Sequence, residues 1–265
     1  MIISSRSNPT IKRVRGLRRR KEREAEGAFF VEGLRLVGEA LDTGAAIDEV
    51  IITPRAAAGG YGEELIERVE ASGVQAIEVT DDVFESIAGK ENPQGIGAVV
   101  RQSWTSLRDA RTGRLGWIAL DAVQDPGNLG TILRTGDAVG ADGVILLGTT
   151  TDPYDPTAVR ASMGAIFNQQ LARAEMDEFF AWARESELPI AATSDAADAD
   201  YESVEYPTPL ALLMGSEQKG LAPDVLARAD FAVRIPMVGR SDSLNLAVAT
   251  GIILYRIFSQ HRGHR

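Results

Sequence analysis

From Trp117 onward one pattern recurs: a short apolar run, a turn rich in glycine or proline, then a stretch of helical length. The apolar runs are 117–120, 144–147, 190–192, 210–213 and 231–235. Helices are predicted over 131–139, 157–171, 177–184 and 244–259 from the spacing of their apolar residues. Short apolar runs without polar alternation read as strands buried on both faces, which requires helices on both sides of a mostly parallel sheet. The fold class is therefore α/β.

A second, smaller α/β unit precedes it. A basic helix over 11–21 leads into a strand at 29–31, a helix over 34–41, a strand at 49–52 and a helix over 63–71. A strand at 76–79, a helix over 82–87 and a strand at 97–100 follow. Residues 103–114 are polar and aperiodic and read as a linker, which places domains at 1–102 and 115–265.

Composition removes several chemistries. Among 265 residues there is no cysteine, and the two histidines, His261 and His264, fall in the last five positions. Disulfides, thiolate nucleophiles, Ser-His-Asp triads and Cys/His metal sites are not expected, so no metal is expected either. No apolar run is long enough to span a membrane, and the first residues carry no apolar leader; the reading is a soluble, cytoplasmic protein.

The net charge of −10 looks wrong for a nucleic-acid binder, but it is unevenly spread. Residues 1–23 hold Arg6, Lys12, Arg13, Arg15, Arg18, Arg19, Arg20, Lys21 and Arg23 against Glu22 alone, a local +8. Such a run is either a solvated helix face or a surface for phosphates. Ile11, Val14 and Leu17 at helical spacing argue against a loose tail, and the nine cations are candidate RNA contacts.

Ligands of parallel α/β sheets bind in loops at the carboxyl ends of strands. Three such loops are unusual. The first runs from Asp121 through Gln124, Asp125, Pro126, Gly127, Asn128 and Gly130 into a helix carrying Arg134. The second begins at Leu213 and Met214 and continues Gly215, Ser216, Glu217, Gln218, Lys219, Gly220. The third runs Ile235, Pro236, Met237, then Ser243, Leu244, Asn245, Leu246, Ala247. Each has a plain reading as well: Arg134 could pair with Asp137, and Ser243 or Asn245 could cap the last helix. Neither Gly-x-Gly-x-x-Gly nor a phosphate-binding Gly-x-x-x-x-Gly-Lys loop occurs, which argues against a dinucleotide or nucleoside-triphosphate site.

Taken in order, the three loops resemble the three motifs of the SpoU (TrmH-like) branch of the SPOUT RNA methyltransferases. Asn8, Pro9, Ile11 and Lys12, with Phe30, Val31, Glu32 and Gly33, are similar to the substrate-binding domain fused to that family, itself like a small RNA-binding fold of ribosomal proteins. The resemblance spans nearly the whole chain. It implies a C-terminal trefoil-knot domain, a homodimer through that domain, and S-adenosylmethionine as cofactor. It also implies methylation of a ribose 2′-hydroxyl, with ribosomal RNA the expected substrate and transfer RNA the alternative.

By the same resemblance Leu213, Met214, Gly215, Gly220, Ile235, Pro236, Met237, Ser243, Leu244 and Ala247 hold the cofactor. Arg134 carries the reaction, with Asn128, Glu217, Ser243 and Asn245 orienting it and the ribose. The competing reading is a silent RNA-binding protein of the same fold, against which the intact Asn128, Arg134, Glu217, Ser243 and Asn245 argue.

Overall fold

The computed structural model describes residues 2–262 apart from Gly59, Lys90, Glu91, Arg114, Ser241 and Asp242. His264, and Ser241 and Asp242 in the third loop, thus lie outside the described residues. Two compact units are present: Met1–Gln102 together with Tyr154–Phe167, and Ser103–Pro153 together with Asn168–Arg265.

The first unit opens with α1 (Pro9–Gly16) and α2 (Arg20–Glu26). It continues β1 (Ala28–Glu32), α3 (Leu34–Asp42), β2 (Ile47–Ile52), α4 (Pro54–Ala57) and α5 (Gly60–Ala71). β3 (Gln75–Glu78), α6 (Asp81–Ile87) and β4 (Ile96–Arg101) complete its sheet, in the order β1-β4-β2-β3. The single helix expected over 11–21 is two helices. α1 starts on Asn8, whose side chain accepts from Thr10 N, and Leu17 closes it. Its apolar stripe holds: Ile11, Val14 and Leu17 are at most 1% exposed and pack on Phe84, Val83 and Val99.

The second unit carries β5 (Gly116–Asp121), α7 (Pro126–Val139) and β6 (Gly143–Leu147). α8 (Pro156–Ser162) lies next in sequence but packs with the first unit, and β7 (Gln170–Ala174) returns to the sheet. Then come α9 (Met176–Glu185), β8 (Ile190–Thr193), β9 (Ala199–Asp200), β10 (Leu210–Met214), α10 (Pro223–Leu226), β11 (Phe231–Arg234) and α11 (Leu246–His261). Seven strands form one parallel sheet, ordered β7-β6-β5-β10-β8-β11-β9. Its core joins Trp117, Ile145, Phe179, Trp182 and Leu213.

Two expectations change here. The helix expected over 157–171 stops at Ser162, because Met163 and Gly164 both take positive φ, +54° and +102°, which no helix continues. Ala165–Phe167 then form a 3-10 turn, and the end of the expected helix falls in β7, an edge strand that begins at Gln170. Residues 103–112 are not a free linker. Thr105 N donates to Leu171 O over 2.7 Å, Gln170 and the Arg111 backbone bond in both directions, and Leu107 and Ala110 pack on the second unit's core. They cover the edge that β7 would otherwise leave open.

Candidate active site

The sheet reverses its direction of growth next to β5. From β5 the chain moves outward to β6 and β7, then crosses back so that β10 pairs with β5 on the other side. Such a switch point opens a crevice at the carboxyl ends of the strands. Leu120 of β5 and Met214 of β10 are in register, so the first and second loops leave the sheet side by side.

Local chemistry fixes each loop. Asp125 caps α7 by accepting from Asn128 N at 2.6 Å, and Pro126 supplies a first helical residue with no amide to satisfy. Asn245 caps α11, accepting from Ala247 N and Val248 N; of the two capping candidates in the sequence, this is the one used. In the second loop Ser216 and Gly220 form a bridge that closes the turn. Gly215 is required by that closure. A Cβ there would lie 2.3 Å from the Gly220 carbonyl carbon and 2.5 Å from Leu221 N. The sequence placed Gly215 against the cofactor, whereas its missing side chain makes room for the loop's own backbone.

The three loops are joined by side chains. Glu217 Oε1 accepts from Asn128 Nδ2 at 3.3 Å and from Asp125 N at 3.4 Å, while Oε2 accepts from Gln124 N at 3.4 Å. Asn245 Nδ2 then donates to Asn128 Oδ1 at 2.8 Å. Asn128, Glu217 and Asn245 thus form one hydrogen-bonded chain across all three loops. Beside it, Asp121 ends β5 half-buried, and burial pushes its carboxyl above the usual carboxylate range.

A cavity of 380 Å³ opens between the second and third loops, within the usual size range of small-molecule sites. Met214, Gly215, Gly220, Ile235, Met237, Ser243 and Leu244 line it, as does Glu217. Three expected residues do not. Leu213 is fully buried in the sheet, Pro236 faces solvent, and Ala247 is packed at the start of α11. Thr193 at the end of β8, with Ser194 and Asp195 after it, does line it, together with Leu246, Ala249 and Ile253 of α11. The loop after β8 carries no glycine and matches no motif in the sequence reading, so only its position at a strand end could have found it.

Arg134 stands apart from the chain of Asn128, Glu217 and Asn245. It lies on α7 six residues past Asn128, which turns it by roughly 240° about the helix axis. It is exposed, and its guanidinium has no ion-pair or hydrogen-bond partner among the described residues, so the pairing with Asp137 is not made.

Several cations of the basic segment are tied to acids or carbonyls of their own unit. Arg13 meets Glu26, Asp48 and Glu49; Arg6 is fastened to Asp82; Arg15 donates to Ser86 O, Ser86 Oγ and Arg6 O. Arg19 and Arg20 pair with Glu22 and Glu24 on their own helical turn. Arg23 corrects the reading of this segment as a phosphate surface. It is 2% exposed, donates to Leu17 O and Arg18 O, and approaches Asp155 at 3.7 Å, so it cannot reach RNA. Arg6, Lys12, Arg18, Arg19, Arg20 and Lys21 remain exposed.

Residues 117–255 match the SpoU rRNA Methylase family, and residues 8–98 match the MRM3-like substrate binding domain. The chain belongs to the SpoU rRNA methylase family. Among members, the 23S rRNA (guanosine(2553)-2′-O)-methyltransferase RlmP of Bacillus subtilis is 31% identical over 255 residues, covering 96% of this chain and 98% of its own. An AdoMet-bound rRNA methyltransferase from Sinorhizobium meliloti is 40% identical, with a TM-score of 0.88 over 98% of both chains. The SpoU methyltransferase AviRb of Streptomyces viridochromogenes, in complex with AdoMet, is 30% identical, with a TM-score of 0.86 over 97% of this chain and all of that one. Among the described residues no helix is long and apolar enough to cross a membrane, and no cluster of three or more His, Asp or Glu is arranged to hold a metal.

Proposed function

We propose that this SpoU family protein transfers a methyl group from S-adenosylmethionine to a ribose 2′-hydroxyl of ribosomal RNA. The observation that carries the reading is the chain Asn128–Glu217–Asn245, which ties three loops together beside a cavity of cofactor size. The cavity fits the cofactor chemically. Met214, Ile235, Leu244, Leu246 and Ile253 offer an apolar bed for a base. Thr193, Ser216 and Ser243 offer hydroxyls to a ribose, and Asp195 and Glu217 favour a bound cation. When bound, S-adenosylmethionine supplies an electrophilic methyl on a positively charged sulfur.

The chain's own part is alignment and proton handling. Glu217 already accepts three hydrogen bonds and is a positioning group rather than a base. Asn128 is held between Glu217 and Asn245, so its amide is fixed in one orientation at the head of α7. Arg134 holds the phosphate next to the reacting ribose through its forked donors, and the hydroxyl proton leaves to phosphate or water.

A trefoil knot in the second unit, a homodimer and a cytoplasmic location complete the proposal. The insertion of β10 between β5 and β8 supports the knot. Val248 and Tyr255, half exposed on α11, support the dimer. The ribosomal substrate is supported by the activity of the Bacillus relative on 23S rRNA.

The test is incubation with methyl-labelled S-adenosylmethionine and ribosomal RNA from cells lacking the protein, followed by digestion to nucleosides. Label in 2′-O-methylnucleosides is expected, and Arg134→Ala should cut turnover by ~10²-fold or more while cofactor affinity holds. Label only in transfer RNA, in a base, or in nothing overturns the reading.

A further inference from the structure

We infer that the first unit grips the RNA backbone in a notch flanked by Arg18 and Arg160, not along the outer face of its basic helices. The inference rests on the RNA-modifying function proposed above.

The notch is a small concavity of 40 Å³ with an apolar floor that includes Leu17, Phe30 and Ile87. Arg18 comes from the end of α1 and donates to Ala88 O. Arg160 comes from α8, far along the chain, and places Nη1 3.4 Å from where a Gly89 Cβ would sit. The two guanidiniums therefore bracket the turn at Ala88 and Gly89. Neither makes an ion pair with a described carboxylate, unlike Arg6, Arg13, Arg19 and Arg20 on the same unit. Each also keeps donors free. Arg18 uses one nitrogen on Ala88 O, and Arg160 makes a single long contact to Thr157 Oγ1 at 3.4 Å.

Among the described residues one acid shares the notch. Glu32 accepts from Gly89 N at 2.7 Å and lines the same concavity. Two guanidiniums and one carboxylate leave a local charge of +1, the complement of a single phosphodiester. Arginine's forked donors suit that group, and a glycine at the turn lets the backbone of a strand come close. The partner that fits is the sugar–phosphate backbone of RNA, not a free nucleotide, because the concavity is too small to take a base.

The test uses the full chain and ribosomal RNA from cells lacking the protein, across a salt series, with cofactor affinity measured in parallel. Arg18→Ala with Arg160→Ala should raise the KM for RNA roughly ten-fold or more and leave cofactor affinity unchanged. It should also flatten the log–log salt slope by about 0.7 to 0.9 per lost phosphate contact. Glu32→Gln keeps the acceptor for Gly89 N but removes the charge, so it should tighten RNA binding, a change no structural defect would produce. Arg19→Ala with Arg20→Ala should change little. The inference is overturned if the notch variant keeps its KM and slope, or if Glu32→Gln fails to tighten binding. A wild-type protein that methylates no RNA would instead remove the functional reading beneath it.

Discussion

Asn245 Nδ2 reaches across 2.8 Å to Asn128 Oδ1, while Asn245 Oδ1 accepts from the amides of Ala247 and Val248. One side chain thus starts the last helix and fixes a residue at the head of α7. The two roles separate by substitution. Asn245→Asp retains the acceptor that caps α11 but loses the donor to Asn128; stability should stay near wild type while turnover falls. Asn245→Ala loses both, with about 1 kcal/mol less stability. Thermal melts beside methyl-transfer rates decide it, and an Asp variant as active as wild type would mean the bridge to Asn128 does not matter.

The N-terminal helix is a structural part, whatever its charge. Leu17 is 1% exposed in the core of the first unit. Leu17→Ala should cost about 2–5 kcal/mol in urea titration, and Arg20→Ala, on an exposed helical pair, within about 0.5 kcal/mol. Deleting 1–23 should therefore unfold the first unit. A deleted protein with an intact first unit by amide exchange would contradict this.

Helix α9 ends in a Schellman motif. Leu188 N donates to Ala183 O at 2.8 Å and Glu187 N to Arg184 O at 3.1 Å. Glu187 occupies the left-handed position, φ +51°, and is exposed. Glycine is the natural occupant of that position, and Glu187→Gly removes no packing. It should stabilise the protein by about 1 kcal/mol, visible as a raised unfolding midpoint. An unchanged or lowered midpoint would show that the left-handed glutamate carries no strain.

Alkaline pH should unfold the protein through Tyr206. Burial pushes its hydroxyl up to about 12, and the group donates to Tyr201 O at 3.0 Å. In the unfolded chain the hydroxyl ionises near 10, so between about 10 and 12 the folded state holds the extra proton. Stability must then fall as pH rises through that window. Tyr206→Phe should lower stability at neutral pH by about 1 kcal/mol and remove this part of the alkaline slope. An identical slope in the variant would place the titration elsewhere.

The parallel sheet was legible because β6 and β10 are wholly buried and apolar, and β5 is so up to its terminal Asp121. β7 was not. It sits at an edge, where Arg173 is exposed, and its polar residues let it pass for helix. Asn128, Glu217 and Asn245 could be named because each follows a strand end in a recognisable motif. Their mutual hydrogen bonds span 89 to 117 positions and exist only in three dimensions. The loop of Thr193, Ser194 and Asp195 left no mark in composition, since short polar side chains after a strand look like any turn. The roles within the basic segment could not be told apart in the sequence for a physical reason: a guanidinium carries the same charge whether it faces a phosphate or, as in Arg13, three carboxylates of its own chain.

The placement of Tyr154–Phe167 in the first unit has a consequence for how the protein is made. The Phe29 ring lies 4.6 Å from that of Tyr154, tilted by 44°, and stacks 6.2 Å from Phe167, ring centre to ring centre. Synthesis runs from the N-terminus, and domains tend to fold as they emerge. Here the unit that begins first lacks its Tyr154–Phe167 segment when Gln102 appears. It must wait while some fifty further residues, including β5 and β6 of the neighbouring sheet, leave the ribosome. The nascent chain therefore holds an apolar face open on β1 for that interval, the time at which it most needs a chaperone.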